Sequence, residues 1–248
     1  MKKFLAAVAF STLALPAQAF DISDMNDQER AEFRAEVRAY LLENPEVILE
    51  AYQVYEQRQA VAEVARDKQM VQANSDAIFN DDRAWVGGNP EGDITLVEFM
   101  DYRCGYCRKA HDEVKQLLET DGNIRFIVKE FPILGDDSVL TSRFAIATRL
   151  VAGDDAYGKM NDALIKFRGK VSEKSMVRLA NTMGLDGKAI AARMNDPEVD
   201  QLIGDNHVLA QKLGISGTPT FVLQDQMLRG YVPLANMTEL VAATRAQK

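Results

Sequence analysis

Cys104 and Cys107, the only cysteines of the 248-residue chain, stand three apart in Cys104-Gly105-Tyr106-Cys107. Two thiols at that spacing on a helix start can close on each other. The run from Ile94 to Met100 has the length and β-rich character of a buried strand, and Arg108 to Leu118 has helical spacing. The pair is therefore expected at a strand-to-helix junction. Unpaired backbone N–H groups and the positive end of the helix dipole favour an anion there, so the first thiol is expected to ionise near neutral pH. Free cysteine titrates near pH ~8.5, and such a setting lowers it to roughly 3.5–7.5. The thiolate is the nucleophile of dithiol-disulfide exchange, which makes a redox-active Cys104–Cys107 disulfide, with no further cofactor and no metal, the leading expectation.

Glu98 stands in the middle of the apolar strand, six residues before Cys104. Held out of water, its pKa would rise, and it would suit the role of proton acceptor for a buried second thiol. The competing reading is an edge-facing carboxylate with no role. Gly105 and Tyr106, between the cysteines, are expected to tune thiolate stability and reduction potential. Gly217-Thr218-Pro219-Thr220 opens a strand with proline, and composition alone does not make that bond cis.

Metal binding is a function of a different class. Cys104, Cys107, His111 and His207 could supply four ligands to zinc or copper(I), but His207 is far away in sequence and CxxC alone is a weak metal signal. Both histidines otherwise read as helical surface residues. Haem attachment is excluded, because Arg108 follows the second cysteine where histidine is required.

Met1-Lys2-Lys3, the apolar run Phe4 to Leu15 and Ala17-Gln18-Ala19 read as a signal peptide cleaved after Ala19, which places the chain in the periplasm. In that oxidising compartment a CxxC suits an active dithiol better than a staple, since so short a loop adds little stability. The net charge of −8 speaks against nucleic acid as a partner.

Residues 20–75 carry almost no β signal and read as two helices. The first runs from about Asp27 to Glu43; Asn44 then caps the second, with Pro45 at its first position. In the second, Val47, Ala51, Val54, Val61 and Ala65 form a thin apolar stripe that needs a partner surface. Self-association through this region is the favoured reading, with packing on the chain's own domain as the alternative. Gly87-Gly88-Asn89-Pro90 reads as turn chemistry. Residues 76–248 then give strand, CxxC helix, a strand over Ile124 to Phe131, a helical block at about 136–212, strands over Thr218 to Leu223 and Met227 to Tyr231, and a helix from Pro233 to Ala246. This order is that of an α/β, thioredoxin-like fold with a helical insertion, preceded by an N-terminal helical stalk.

Thr95 to Cys107, together with Gly88-Asn89-Pro90, Lys129-Glu130-Phe131-Pro132 and Gly214 to Phe221, resembles the DsbA-like thioredoxin-fold proteins of the bacterial envelope. The resemblance implies that Cys104 is the exposed nucleophile, Cys107 the resolving thiol, Glu98 the buried acid and Pro219 a cis-proline facing the dithiol. Thr218 would offer backbone hydrogen bonds to a substrate chain. Gly-Tyr between the cysteines and threonine before the proline are similar to the periplasmic disulfide isomerases. Val37 to Ile48 resembles the ScsC/Com1-like branch, some members of which trimerise, which implies a homo-oligomer. The implied substrates are exported proteins with cysteines. An isomerase implies a membrane reductase of the DsbD/ScsB type, and a dithiol oxidase, the main alternative, one of the DsbB type. A binding module with a vestigial dithiol is the third reading.

Overall fold

The computed structural model describes residues 22–247, so the expected leader and its cleavage site after Ala19 lie outside the described residues. The chain divides into two compact units, one ending at Arg58 and one beginning at Gln59. The division falls within a helix, ahead of the boundary expected near residue 75.

In the first unit, α1 (Asp27–Glu43) starts on a capping box. Asn26 accepts from the Gln28 and Glu29 N–H groups at 3.0 Å, and the Glu29 carboxylate accepts the Asn26 N–H at 2.9 Å. Asn44 does not cap the next helix as expected. Its side-chain amide turns back and donates to the Tyr40 carbonyl at 2.9 Å, closing α1, and α2 (Glu46–Ala73) begins one residue beyond Pro45. No residue of α1 is buried, and Phe33, Val37, Tyr40, Leu49, Tyr52 and Val54 are all exposed.

The second unit takes in the last turns of α2, where Val71 is buried and Asp67 accepts from both terminal nitrogens of Arg229. After the short α3 (Ser75–Phe79), which sequence did not suggest, five strands form one sheet in the order β1-β3-β2-β4-β5. They are β1 (Trp85–Gly88), β2 (Ile94–Met100), β3 (Ile124–Glu130), β4 (Thr220–Leu223) and β5 (Gln226–Arg229). β2 and β3 run parallel through the crossover helix α4 (Gly105–Asp121), and the remaining pairs are antiparallel. The Gly87-Gly88 stretch, expected as a turn, is the edge strand β1. Gly88 sits at φ +65°, and a Cβ there would lie 2.4 Å from the Ile124 carbonyl oxygen, so only glycine lets the strand approach.

Between β3 and β4 lie the five helices of the insertion: α5 (Asp136–Ala152), α6 (Asp154–Lys166), α7 (Glu173–Thr182), α8 (Gly187–Arg193) and α9 (Pro197–Lys212). The closing helix α10 (Leu234–Arg245) follows β5. Both faces of the sheet are covered, so β2 is buried along nearly its whole length. With a side-chain period of two, Leu96 and Met100 face the core that holds α4, while Val97 and Phe99 face a second core with Val71, Ile127 and Leu213.

The Lys129 side chain is only 1% exposed, and its ammonium donates to Asp81 at 3.0 Å. Burial lowers the Lys129 pKa, with Asp81 opposing the shift. Removing one partner of a buried pair leaves an uncompensated charge. Asp81→Ala should cost about 3–5 kcal/mol in urea unfolding, whereas Lys129→Met should cost clearly less, because Asp81 keeps its ion pair with Arg83. Equal losses from the two would contradict this account.

Candidate active site

The site is assembled where β2 gives way to α4. Asp101, fully buried, ties the intervening turn down. One carboxylate oxygen accepts from the Arg103 N–H at 2.7 Å and the Ser138 hydroxyl at 2.8 Å. The other accepts from the Ile133 and Leu134 N–H groups at 2.8 and 3.1 Å, and the Asp101 carbonyl accepts the Cys104 N–H at 3.1 Å. The turn is thereby fastened to the loop that opens the insertion. Sequence reasoning gave Asp101 no role; the available signal was a carboxylate wedged between a buried strand and the CxxC.

Cys104 occupies the N-cap of α4, and its sulfur accepts the Cys107 N–H at 3.3 Å, where serine or aspartate would commonly place an oxygen. Its pKa falls to about 5. The Cys107 thiol contributes most, and the Thr218 side chain and the Cys107 and Tyr106 N–H groups add to it; together they outweigh burial. Protonated, the thiol can also donate to the Thr218 carbonyl at 3.1 Å. Cys104, expected as an exposed nucleophile, is instead buried, at 6% exposure, because the Thr218 carbonyl lies against its sulfur, and Cys107, at 1%, is shut in further still. Burial drives the Cys107 pKa far up, with its hydrogen bond to Cys104 and the charge of Glu98 acting in the same sense. Gly105 and Tyr106 form the exposed first turn of α4, and a Cβ at Gly105 would meet only open space. The Thr218–Pro219 bond is cis.

Glu98 lies between Leu96 and Met100 in the β2 alternation, hence on the face that α4 covers. It is no edge carboxylate. Glu98 and Cys107 line the same cavity of about 240 Å³. Burial raises the Glu98 pKa to about 8, and the charges of Cys104 and Glu130 push in the same direction. Glu130 is the second carboxyl that sequence left without a role. It ends β3 opposite Met100 and accepts from Tyr102, Tyr157 and Ser142 at 2.6–2.7 Å. Burial nevertheless lifts its pKa to about 7.

The four side chains weighed as a metal set do not converge. His111 pairs with Asp162 at 3.0 Å, and His207 packs on Phe131, which belongs to the core on the other face of the sheet. Among the described residues, no three His, Cys, Asp or Glu side chains are grouped to hold a metal ion.

Alkylation of the reduced chain by iodoacetamide, followed by mass spectrometry, should titrate at Cys104 with a midpoint near pH 5, with Cys107 unmodified while the protein is folded. A midpoint above about pH 7.5 would contradict the helix-start account. The same shift links to stability. A Cys104 pKa below that of a free thiol gives a stabilisation that is complete above the free-thiol value and lost as pH falls through about 5. Glu98 runs the other way: its contribution is complete below its ordinary value of 4.5 and lost as pH rises through about 8. Glu98 titrates in both redox forms, and loss of the Cys104 charge on oxidation lowers its pKa, which narrows the difference between them. The reduced protein should therefore melt above the oxidised one near neutral pH, by about 1–2 kcal/mol after allowance for solvent screening, and the gap should close by about pH 4.

Three relatives bear on this geometry. A thioredoxin-like oxidoreductase from Silicibacter pomeroyi DSS-3 is 42% identical and superposes with a TM-score of 0.65, over 69% of this chain and 97% of that one. The thiol:disulfide interchange protein DsbC of Escherichia coli K12 is 27% identical over 154 residues, 61% of this chain and 52% of that one. The Na(+)/H(+) antiporter NhaA 1 of Salinispora arenicola is 28% identical over 169 residues, 66% of this chain. The chain spans about a quarter of that antiporter's length, and no helix among the described residues is long and apolar enough to cross a membrane. Residues 29–62 match the copper resistance protein ScsC N-terminal domain, and residues 95–242 match the DSBA-like thioredoxin domain. The chain belongs to the DSBA-like thioredoxin family of thiol-disulfide oxidoreductases and is an ScsC-like member of it.

Proposed function

We propose that this chain is an exported protein disulfide isomerase of the periplasm, with Cys104 as nucleophile, Cys107 as resolving thiol and Glu98 as proton acceptor. The observation that carries thiol-disulfide exchange is the opposite treatment of two thiols three residues apart, one drawn down to about 5 and the other driven up and sealed; the isomerase direction draws on Gly105-Tyr106 and on Thr218 before Pro219. Such a pair holds one ready nucleophile and one latent one.

Cys104 thiolate attacks a sulfur of a substrate disulfide. The Cys104–substrate bond forms as the substrate S–S bond breaks, and the departing thiolate takes a proton from solvent. The charge on Cys104 is then gone, and with it one of the influences that hold Glu98 protonated. Glu98 gives up its proton to solvent and then takes the Cys107 proton; the Cys107 thiolate attacks the Cys104 sulfur, the Cys104–substrate bond breaks, and the departing substrate thiolate takes a proton from solvent. Reduced substrate and a Cys104–Cys107 disulfide result, and a membrane reductase of the DsbD/ScsB type supplies the two electrons that restore the dithiol. When a substrate thiolate attacks first, the substrate leaves rearranged and Cys104 returns as thiolate. Thr218, Pro219, Gly105 and Tyr106 form the surface that meets the substrate chain.

The exposed apolar residues of α1 and α2 support a homo-oligomer, which would set several thiols around one misfolded chain. A second reading, a dithiol oxidase, draws on the lowered Cys104 pKa, since a stabilised thiolate makes the disulfide a stronger oxidant.

The chain from Phe20 onward should reactivate scrambled ribonuclease at a low level of reductant, and Cys104→Ser should abolish this. Failure there, combined with rapid oxidation of reduced ribonuclease, would replace isomerase with oxidase. Glu98→Gln should slow mixed-disulfide resolution about 10²-fold or more in stopped flow and leave Cys104 alkylation intact. Leu49→Arg with Tyr52→Arg should lower the mass in sedimentation velocity without changing Cys104 reactivity. An unchanged mass would remove the oligomer from this reading.

A further inference from the structure

Beyond β5 the chain does not continue as a strand to Tyr231. Gly230, at φ +87°, breaks it, and its N–H donates to the Pro219 carbonyl at 2.9 Å. This turn delivers Tyr231 to the first turn of α4. There its ring stacks on Tyr106, with centroids 6.4 Å apart and planes at 24°. The Lys109 ammonium sits 4.1 Å from the centre of the Tyr231 ring. The Tyr231 hydroxyl donates to Glu113 at 2.6 Å, and the other oxygen of that carboxylate accepts the Leu234 N–H at 2.7 Å, at the start of α10. Tyr231 is thus fixed from α4, from α10 and from the Pro219 turn, yet it stays half-buried beside a Tyr106 that is 64% exposed.

An exposed tyrosine needs no such scaffold to be soluble. Tyr106 follows Cys104 by two residues, and the stacked pair stands at the exposed start of α4 beside that sulfur's helix cap. In the mixed disulfide the occupant is fixed by covalency, because the substrate chain must pass Cys104. An extended chain advances about 3.3 Å per residue, so residues one or two positions from the substrate cysteine stay within about 7 Å of it.

We propose that Tyr231 and Tyr106 form an aromatic shelf that selects substrates carrying an aromatic or large apolar residue next to the reacting cysteine, with Tyr231 as a specificity-determining residue. This rests on the thiol-disulfide exchange proposed above and names a feature of its substrates. The stacking on Tyr106 and the Gly230–Pro219 turn hold the ring in place, and Glu113 adds a tie from the Tyr231 hydroxyl to the start of α10.

The test compares the full chain with Tyr231→Ala and Tyr231→Phe on two disulfide-bonded model peptides, one with phenylalanine and one with serine beside the cysteine, and on glutathione disulfide. The unaltered protein should prefer the phenylalanine peptide. Tyr231→Ala should lower kcat/KM for that peptide about 3- to 10-fold, chiefly through KM, and leave the serine peptide, glutathione disulfide and the Cys104 alkylation midpoint unchanged. Tyr231→Phe, which keeps the ring and loses the bond to Glu113, should retain most of the preference. Equal rates on both peptides in the unaltered protein, or an equal loss on all three substrates in Tyr231→Ala, would overturn the shelf while exchange itself stood. An unaltered protein inactive on every substrate would overturn the functional reading and the shelf with it.

Discussion

One constraint orders this structure: the space around the dithiol accommodates little negative charge, and that charge resides on Cys104. Glu98 feels the charges of Cys104 and Glu130, Cys107 feels those of Glu98 and Cys104, and burial raises the pKa of all four groups, being outweighed only at Cys104. Cys104 differs because it caps a helix. The N–H groups of Tyr106 and Cys107 and the Cys107 thiol point at its sulfur, supplying the solvation that burial removes from the others. Moving charge away from Cys104 therefore changes the state of the groups behind it, and a covalent event at the rim becomes an electrostatic event inside.

That arrangement demands a rigid junction. Asp101 provides it with five hydrogen bonds from five residues, Arg103 and Cys104 of the turn, Ile133 and Leu134 of the loop after β3, and Ser138 of α5, counting its carbonyl. The insertion is thus braced against the active-site turn as well as packed on the sheet. Arg108 adds a second brace, donating to the Ile165 carbonyl in α6 and to the Tyr102 carbonyl in the turn. Glu130 joins the same scaffold through Tyr102, whose hydroxyl also accepts from Asn161 of α6.

Much of this was legible in the letters. Strand β2, the start of the CxxC helix, the helical block and the closing β-β-α order follow from periodicity and glycine punctuation, and Glu98 was marked by being out of pattern in an apolar run. What escaped notice depends on contacts made at long range. Gly87 and Gly88 look like a turn until β3 arrives to pair with them, and only then does the missing Cβ become a packing requirement. Asn44 has two helix ends to choose between, and its own amide geometry decided for the earlier one. Asp101 and Glu130 carry no local signature of their distant partners, among them Ser138 and Ser142 of α5 and Tyr157 of α6. Tyr231 was read as strand because nothing in its neighbours' types announces the bond between Gly230 and Pro219.

The registry of β2 has a consequence for how such a chain can vary. The strand is pinned along one edge by parallel pairing with β3 and along the other by antiparallel pairing with β4. Alternation puts Glu98 under the thiols and its neighbour Phe99 in the opposite core. Insertion or deletion of one residue within this strand would exchange their faces, burying a carboxylate among aromatics and setting a benzyl ring where a proton must be received. Evolution can trade side chains along β2 but cannot change its length by one. A change of length is better tolerated in surface connections away from the sheet than within β2.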